Sequence, residues 1–125
     1  MSNDQASEPK VLVVEDEFLV SLVLTEMLEE LGYQIAATAA RLGDAIVLAK
    51  SGDFDLAILD VNLGGERSYP LADILSAAGK PFLFSTGYDQ LDSRYRQYPR
   101  LQKPYCQEDL AKALDGIVGF KKSCN

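Results

Sequence analysis

Charged and hydroxyl side chains in this chain gather directly behind four short segments, the first three of them largely apolar. Glu15 and Asp16 follow residues 11–14, Asp60 follows residues 54–59, Ser85 and Thr86 close the run that opens at Pro81, and Lys103, backed by Pro104, follows residues 100–102. Three carboxylates drawn to one place repel one another and raise their own pKa values unless a cation sits among them. Oxygen donors with open positions suit Mg²⁺, which keeps several waters and shares phosphate oxygens. The roles then separate by chemistry. Glu15 and Asp16 hold the metal, directly or through water, while Asp60 gives it one oxygen and turns the other on phosphorus as a nucleophile. Lys103 sets a compact positive charge against a second phosphoryl oxygen, and the Thr86 hydroxyl donates to a third. Taken singly, an acidic pair is a solvated turn, Asp60 a turn-former before a Gly-rich loop and Lys103 a strand stop. The conjunction of all four positions in this order favours the chemical reading. Glu17 reads as a helix N-terminal charge rather than a further metal ligand.

The elements that must position these groups alternate in type. Residues 11–14 form a near-continuous β-branched run, as in a strand buried on both faces of a parallel sheet. From 17 to 31 the apolar positions Leu19, Val20, Val23, Leu24, Met27, Leu28 and Leu31 recur at helical steps, with acidic residues crowding the first turn and Gly32 as the stop. Strands are expected at 33–40, 54–59, 81–85 and 100–102. Helices are expected at 45–50, at 70–78 with Leu71, Ile74 and Leu75 inward, and at 107–120 with Leu110, Ala113, Leu114, Ile117 and Val118 inward; a turn is expected at Gly64 and Gly65. This alternation predicts a doubly wound α/β parallel sheet, whose ligands collect at the carboxyl ends of the strands. Tyr88, Leu91, Tyr95 and Tyr98 recur at three and four residue steps. They are either one face of a fourth helix packed on the sheet or an exposed aromatic surface for a partner. The polar residues between them predict a helix that is short or mobile, and this segment is expected to respond when Asp60 is modified, with Gly87 giving Thr86 room to move.

The chain has 125 residues, 47% hydrophobic and 25% charged, within the range of one globular domain. The reading is a leader at 1–9, one domain at 10–120 and a tail at 121–125. No run approaches the roughly 18 apolar residues of a membrane span, and the first residues lack the basic and apolar regions of a secretion signal, so the expectation is cytoplasmic with no membrane partner. Cys106 and Cys124 have no CxxC spacing and no histidine to complete a zinc site, so they read as free thiols. A formal charge of −7 opposes a phosphate backbone, so a protein partner is expected and nucleic acid is not.

The residues EDE after the first strand, LDVN around Asp60, ST after the fourth and KP after the fifth resemble a response-regulator receiver domain over nearly the whole chain. That resemblance implies a (βα)5 flavodoxin-like fold with strand order 2-1-3-4-5, Mg²⁺ as cofactor, and phosphotransfer to Asp60 from a sensor histidine kinase. It also implies a backbone carbonyl of Asn62 as a metal ligand. The stretch PFLFSTGYD, with Ser85 where alanine is usual, and the stretch DVNLGGE resemble the FATGUY group of single-domain receivers. Its members often work with HWE or HisKA2 kinases, and many of them lack an output domain. A histidine phosphotransfer protein or a downstream protein target is the further partner implied. The chain departs from the receiver pattern at Arg100, which stands where many receivers carry an aromatic switch residue. The expected function is therefore a stand-alone phosphoacceptor, not an enzyme acting on a separate substrate, that promotes its own Mg²⁺-dependent phosphorylation and dephosphorylation. It acts by protein contact or as a phosphate sink. The alternatives are a receiver-fold binding module that works without phosphorylation and, less in keeping with the acidic edge, a flavin nucleotide carrier.

Overall fold

The computed structural model describes residues 8–87 and 91–122, with residues 118–122 as backbone only. Five parallel strands make the main sheet: β1 (Lys10–Val14), β2 (Gln34–Ala39), β3 (Leu56–Asp60), β6 (Phe82–Thr86) and β7 (Arg100–Gln102). They stand side by side in the order β2-β1-β3-β6-β7. Between β3 and β6 lies a small antiparallel hairpin of β4 (Asn62–Leu63) and β5 (Glu66–Arg67). With the hairpin strands set aside, the order is the 2-1-3-4-5 of the flavodoxin-like fold.

Four helices cover the two faces: α1 (Phe18–Glu30), α2 (Leu42–Ser51), α3 (Tyr69–Ala77) and α4 (Gln107–Lys122). Because side chains alternate along a strand, each central strand feeds two cores. Leu12, Val14, Ala57, Leu59, Phe82 and Phe84 meet Ala45 and Ala49 of α2 and Leu71, Ala72 and Leu75 of α3. Val11, Val13, Leu56, Ile58 and Leu83 meet Leu24 and Leu28 of α1 and Leu110 and Leu114 of α4. Each fully buried leucine of this kind stabilises the fold by about 1.5–3 kcal/mol over its exposed state.

Several sequence expectations need correction. The inward stripe of α1 is narrower than its spacing implies, since Leu19 is 71% and Val23 52% exposed. The helix begins beyond the end of β1 at Val14, so its first turn overhangs the carboxyl edge of the sheet and only Leu24 and Leu28 are fully covered. No acidic side chain sits in that first turn either, because Glu17 is the N-cap and Glu15 and Asp16 precede it. Helix α2 starts at Leu42 rather than residue 45, with Asp44 favourably placed in its first turn and Gly52 closing it at φ +77°. The Gly64 and Gly65 turn is the tip of a hairpin that sequence periodicity did not reveal, its strands being only two residues long. Helix α4 continues to Lys122, past the expected end at residue 120.

The crossover from β6 to β7 contains, among its described residues, no α-helix, only a 3-10 turn at Ser93–Tyr95. Leu91 and Tyr95 are 2% and 5% exposed, so these two pack in the core rather than line an exposed surface. Tyr98 packs against the same cluster. Tyr88 lies outside the described residues, as does the Val118 side chain. No helix among the described residues is long and apolar enough to cross a membrane.

Candidate metal and phosphoryl site

The carboxyl ends of β1, β3 and β7 bring Glu15, Asp16, Asp60 and Lys103 together. Glu15 and Asp60 are buried, at 4% and 8% exposure, while Asp16 is exposed. Each of the three acids offers a carboxylate oxygen, and those oxygens all lie within 4.8 Å of one another. The Lys103 ammonium bridges two of them, donating to Glu15 Oε1 at 3.1 Å and to Asp60 Oδ2 at 3.3 Å. The second oxygens are held by backbone amides. Glu17 N donates to Glu15 Oε2 at 3.2 Å and Asn62 N to Asp60 Oδ1 at 3.3 Å. Asp16 Oδ2 accepts from Gly64 N at 3.0 Å, which fastens the hairpin tip to the start of α1. Asn62 Oδ1 in turn accepts from Gly65 N at 2.8 Å, and Gly64 and Gly65 adopt φ of +62° and +97°, a conformation that favours glycine.

These contacts frame a cavity of about 250 Å³ lined by Asp16, Glu17, Asp60, Asn62, Gly64, Gly65, Gly87 and Lys103. The electrostatics follow from the crowding. Burial first, and then the Asp60 charge, push the Glu15 carboxyl up to about 7, against the opposing pull of the Glu17 amide and Lys103. Burial draws the Lys103 ammonium down, but its bonds and charges with Glu15 and Asp60 outweigh this and leave its pKa raised, so it stays cationic. A single lysine among three carboxylates leaves negative charge uncompensated. The donor set is therefore hard, oxygen-only and short of a cation, and it fits Mg²⁺ with the carboxylates of Glu15, Asp16 and Asp60 as the groups at hand.

Thr86 is buried at the end of β6, and its carbonyl accepts from Lys103 N at 2.7 Å. It is not among the residues lining the cavity. Strand alternation explains this, because Thr86 shares the face of Phe82 and Phe84 while Ser85 shares the other. Gly87 lines the cavity directly, and Arg100 is exposed on β7. The peptide before Pro104 is cis.

Near the site, Tyr105 escaped the sequence reading, and Ser85 reads in sequence as a strand-end hydroxyl with no role assigned. Ser85, the register partner of Asp60 across β3 and β6, is 1% exposed and its Oγ has no hydrogen-bond partner. Tyr105 lies close by, and burial followed by the Glu15 charge pushes its phenol up. The sequence signals for Ser85 were its place at a strand end and serine where the FATGUY pattern has alanine; seeing what it faces requires the β3–β6 register.

Beside the cavity, Phe18 and Leu19 of α1 are 76% and 71% exposed. A groove of about 510 Å³ runs from Leu19 and Val23 to Gly87, Lys103 and Tyr105, sharing Gly87 and Lys103 with the acidic cavity.

Residues 11–115 match the family model described as the response regulator receiver domain. Over 121 residues the chain is 33% identical to the transcriptional regulatory protein PdtaR of Mycobacterium tuberculosis, covering 92% of this chain and 59% of that one. It thus spans well under two thirds of that curated relative. The solution structure of SdrG from Sphingomonas melonis Fr1 superposes with a TM-score of 0.82 at 42% identity, covering 89% of this chain and 97% of SdrG. The receiver domain of PhyR from Erythrobacter litoralis gives 0.80 at 28% identity, covering 92% and 93%.

Proposed function

The chain belongs to the response regulator receiver domain family, and on that premise we propose that Asp60 accepts a phosphoryl group from a sensor histidine kinase. The observation that carries this is the cluster of three carboxylate oxygens within 4.8 Å, bridged by Lys103 over an open cavity. An Asp60 carboxylate oxygen attacks phosphorus in line with the leaving histidine nitrogen; the P–O bond forms as the P–N bond breaks. Mg²⁺, bound by Glu15, Asp16, Asp60 and the Asn62 carbonyl, would neutralise charge on the transferred group. Lys103, already against Asp60 Oδ2, takes a second phosphoryl oxygen, and Thr86 donates to a third once its strand end turns toward the cavity. These same residues promote attack by water on the phosphoaspartate, the new P–O bond forming as the bond from phosphorus to the Asp60 oxygen breaks to release phosphate and the free carboxylate, so the chain assists its own phosphorylation and dephosphorylation.

The apolar groove beside the cavity suits the kinase surface that must present its phosphohistidine there, because an exposed apolar patch next to a reactive group marks a partner site. PFLFSTGYD and DVNLGGE support the FATGUY subgroup and hence an HWE or HisKA2 kinase. In this reading the signal leaves by a phosphorylation-gated protein contact, or the chain serves as a phosphate sink. The protein incubated with Mg²⁺ and acetyl phosphate should gain one phosphoryl group by mass, and Asp60→Asn should gain none. A folded Asp60→Asn variant that still gains it would overturn the assignment.

A further inference from the structure

The segment that stands in for a crossover helix between β6 and β7 is tied to α3 by three tyrosine hydroxyls. Tyr69 Oη accepts from Asp92 N at 2.8 Å, and Tyr95 Oη donates to Asp73, with Oδ1 at 2.9 Å and Oδ2 at 3.1 Å. The Tyr98 hydroxyl meets Ser76 Oγ at 3.2 Å. Tyr69, Asp73 and Ser76 recur at i, i+4 and i+7, so a single face of α3 makes all three contacts. The rings form a column. Tyr95 stacks on Tyr69 with centroids 4.2 Å apart and planes 3° from parallel, and stands edge-on to Phe84 at 6.2 Å. A phenol donating to an ionised carboxylate is among the stronger side-chain hydrogen bonds, and offset or edge-on rings add to it.

This column bears on the strand that ends in Thr86. Phe84 lies two residues earlier on the same face of β6, and Thr86 is absent from the cavity wall. Bringing the Thr86 hydroxyl to a group on Asp60 requires the strand end to move against Phe84 and the rings packed on it, because a core packed to this degree does not deform continuously. We propose that residues 91–98 form a strap latched by Tyr95 to Asp73, and that the closed latch holds Thr86 away from Asp60. Tyr95 is then a positioning residue for Thr86, acting through Phe84. The inference rests on the reading of Asp60 as phosphoryl acceptor. Coupling of this kind is reciprocal: if occupying Asp60 opens the latch, weakening the latch favours occupation.

The test is the Mg²⁺-dependent binding of beryllofluoride, a phosphoryl mimic, followed by ¹⁹F NMR in the full chain. Tyr95→Phe, which removes one hydroxyl and keeps the ring, should bind it roughly three- to thirtyfold more tightly, as expected when part of one charge-assisted hydrogen bond is released from the equilibrium. Asp73→Asn, on the exposed side of α3, should shift affinity in the same direction by less. It carries the same test alone if Tyr95→Phe does not fold. Unchanged or weaker binding in the folded variants overturns the latch, even where they melt earlier, since a merely structural contact would lower stability without favouring the mimic. A wild-type chain that takes up no beryllofluoride overturns the acceptor reading and the latch together.

Discussion

Glu15 is the residue at which the chemistry of the site and the stability of the fold meet. Its carboxyl is pushed up to about 7 by burial first and by Asp60 second, whereas in the unfolded chain it titrates near 4.5. Between those values the folded protein binds more protons than the unfolded one, so stability falls as pH rises. The contribution is fully present below about pH 4.5 and is lost by the time pH passes 7. Urea titrations of metal-free protein across this window should show that decline, and Asp60→Asn should flatten it by removing the second cause. An equally steep decline in Asp60→Asn would mean that Asp60 does not load Glu15. Glu15, Asp16 and Asp60 were legible because they follow apolar runs and Lys103 because it follows the last short strand and precedes Pro104, and a sheet of parallel strands sends all such ends to one edge. Ser85 was legible as a strand-end hydroxyl, but its nearness to Tyr105 was not, since that depends on register and on the path of the chain after Pro104.

Helix α1 shows what periodicity can and cannot say about an element. Its helical steps located the element to within a residue or two of Phe18–Glu30, yet a repeat of 3.6 marks a stripe without saying which half of it the sheet covers. Leu24 and Leu28 lie over the strands, whereas Leu19 and Val23 reach past the edge into the groove beside Lys103. The two halves should therefore answer differently to substitution. Leu24→Ala removes a buried side chain and should cost about 2–5 kcal/mol in chemical denaturation. Leu19→Gln with Val23→Thr should change stability by less than about 1 kcal/mol and leave acetyl phosphate labelling of Asp60 intact. The pair should slow phosphotransfer from the kinase by tenfold or more. Undiminished transfer would remove α1 from the docking surface. The hairpin Asn62–Leu63 with Glu66–Arg67 was invisible beyond its Gly64 and Gly65 turn, because strands of two residues complete no period, whereas the helix expected to be short between β6 and β7 is reduced to the Ser93–Tyr95 turn, where side-chain hydrogen bonds such as Tyr95 to Asp73 do what a longer helix would otherwise do.

At the scale of the whole molecule, the alternation of strands and helices was enough to argue a doubly wound sheet, but the order 2-1-3-4-5 came from resemblance, because alternation alone does not say on which side of β1 the second strand lies. Once the order holds, the two cores meet across a sheet whose carboxyl edge concentrates negative charge in a chain already at −7. Mg²⁺ should then act on the fold in two separable ways. General screening of a net charge depends on ionic strength, and any salt supplies it. Specific binding to Glu15, Asp16 and Asp60 stabilises by mass action, by about 1.4 kcal/mol at a free concentration ten times the dissociation constant. For a domain of this size that is a rise of roughly 4–8 °C in melting temperature. Calorimetric melts at neutral pH should show the rise with MgCl₂ and little of it with NaCl at matched ionic strength, and Asp16→Asn should lose most of the difference because it removes a ligand from the exposed side of the cluster. Equal stabilisation by the two salts would mean that the carboxylates are relieved by screening alone, and the magnesium site would fall with that result.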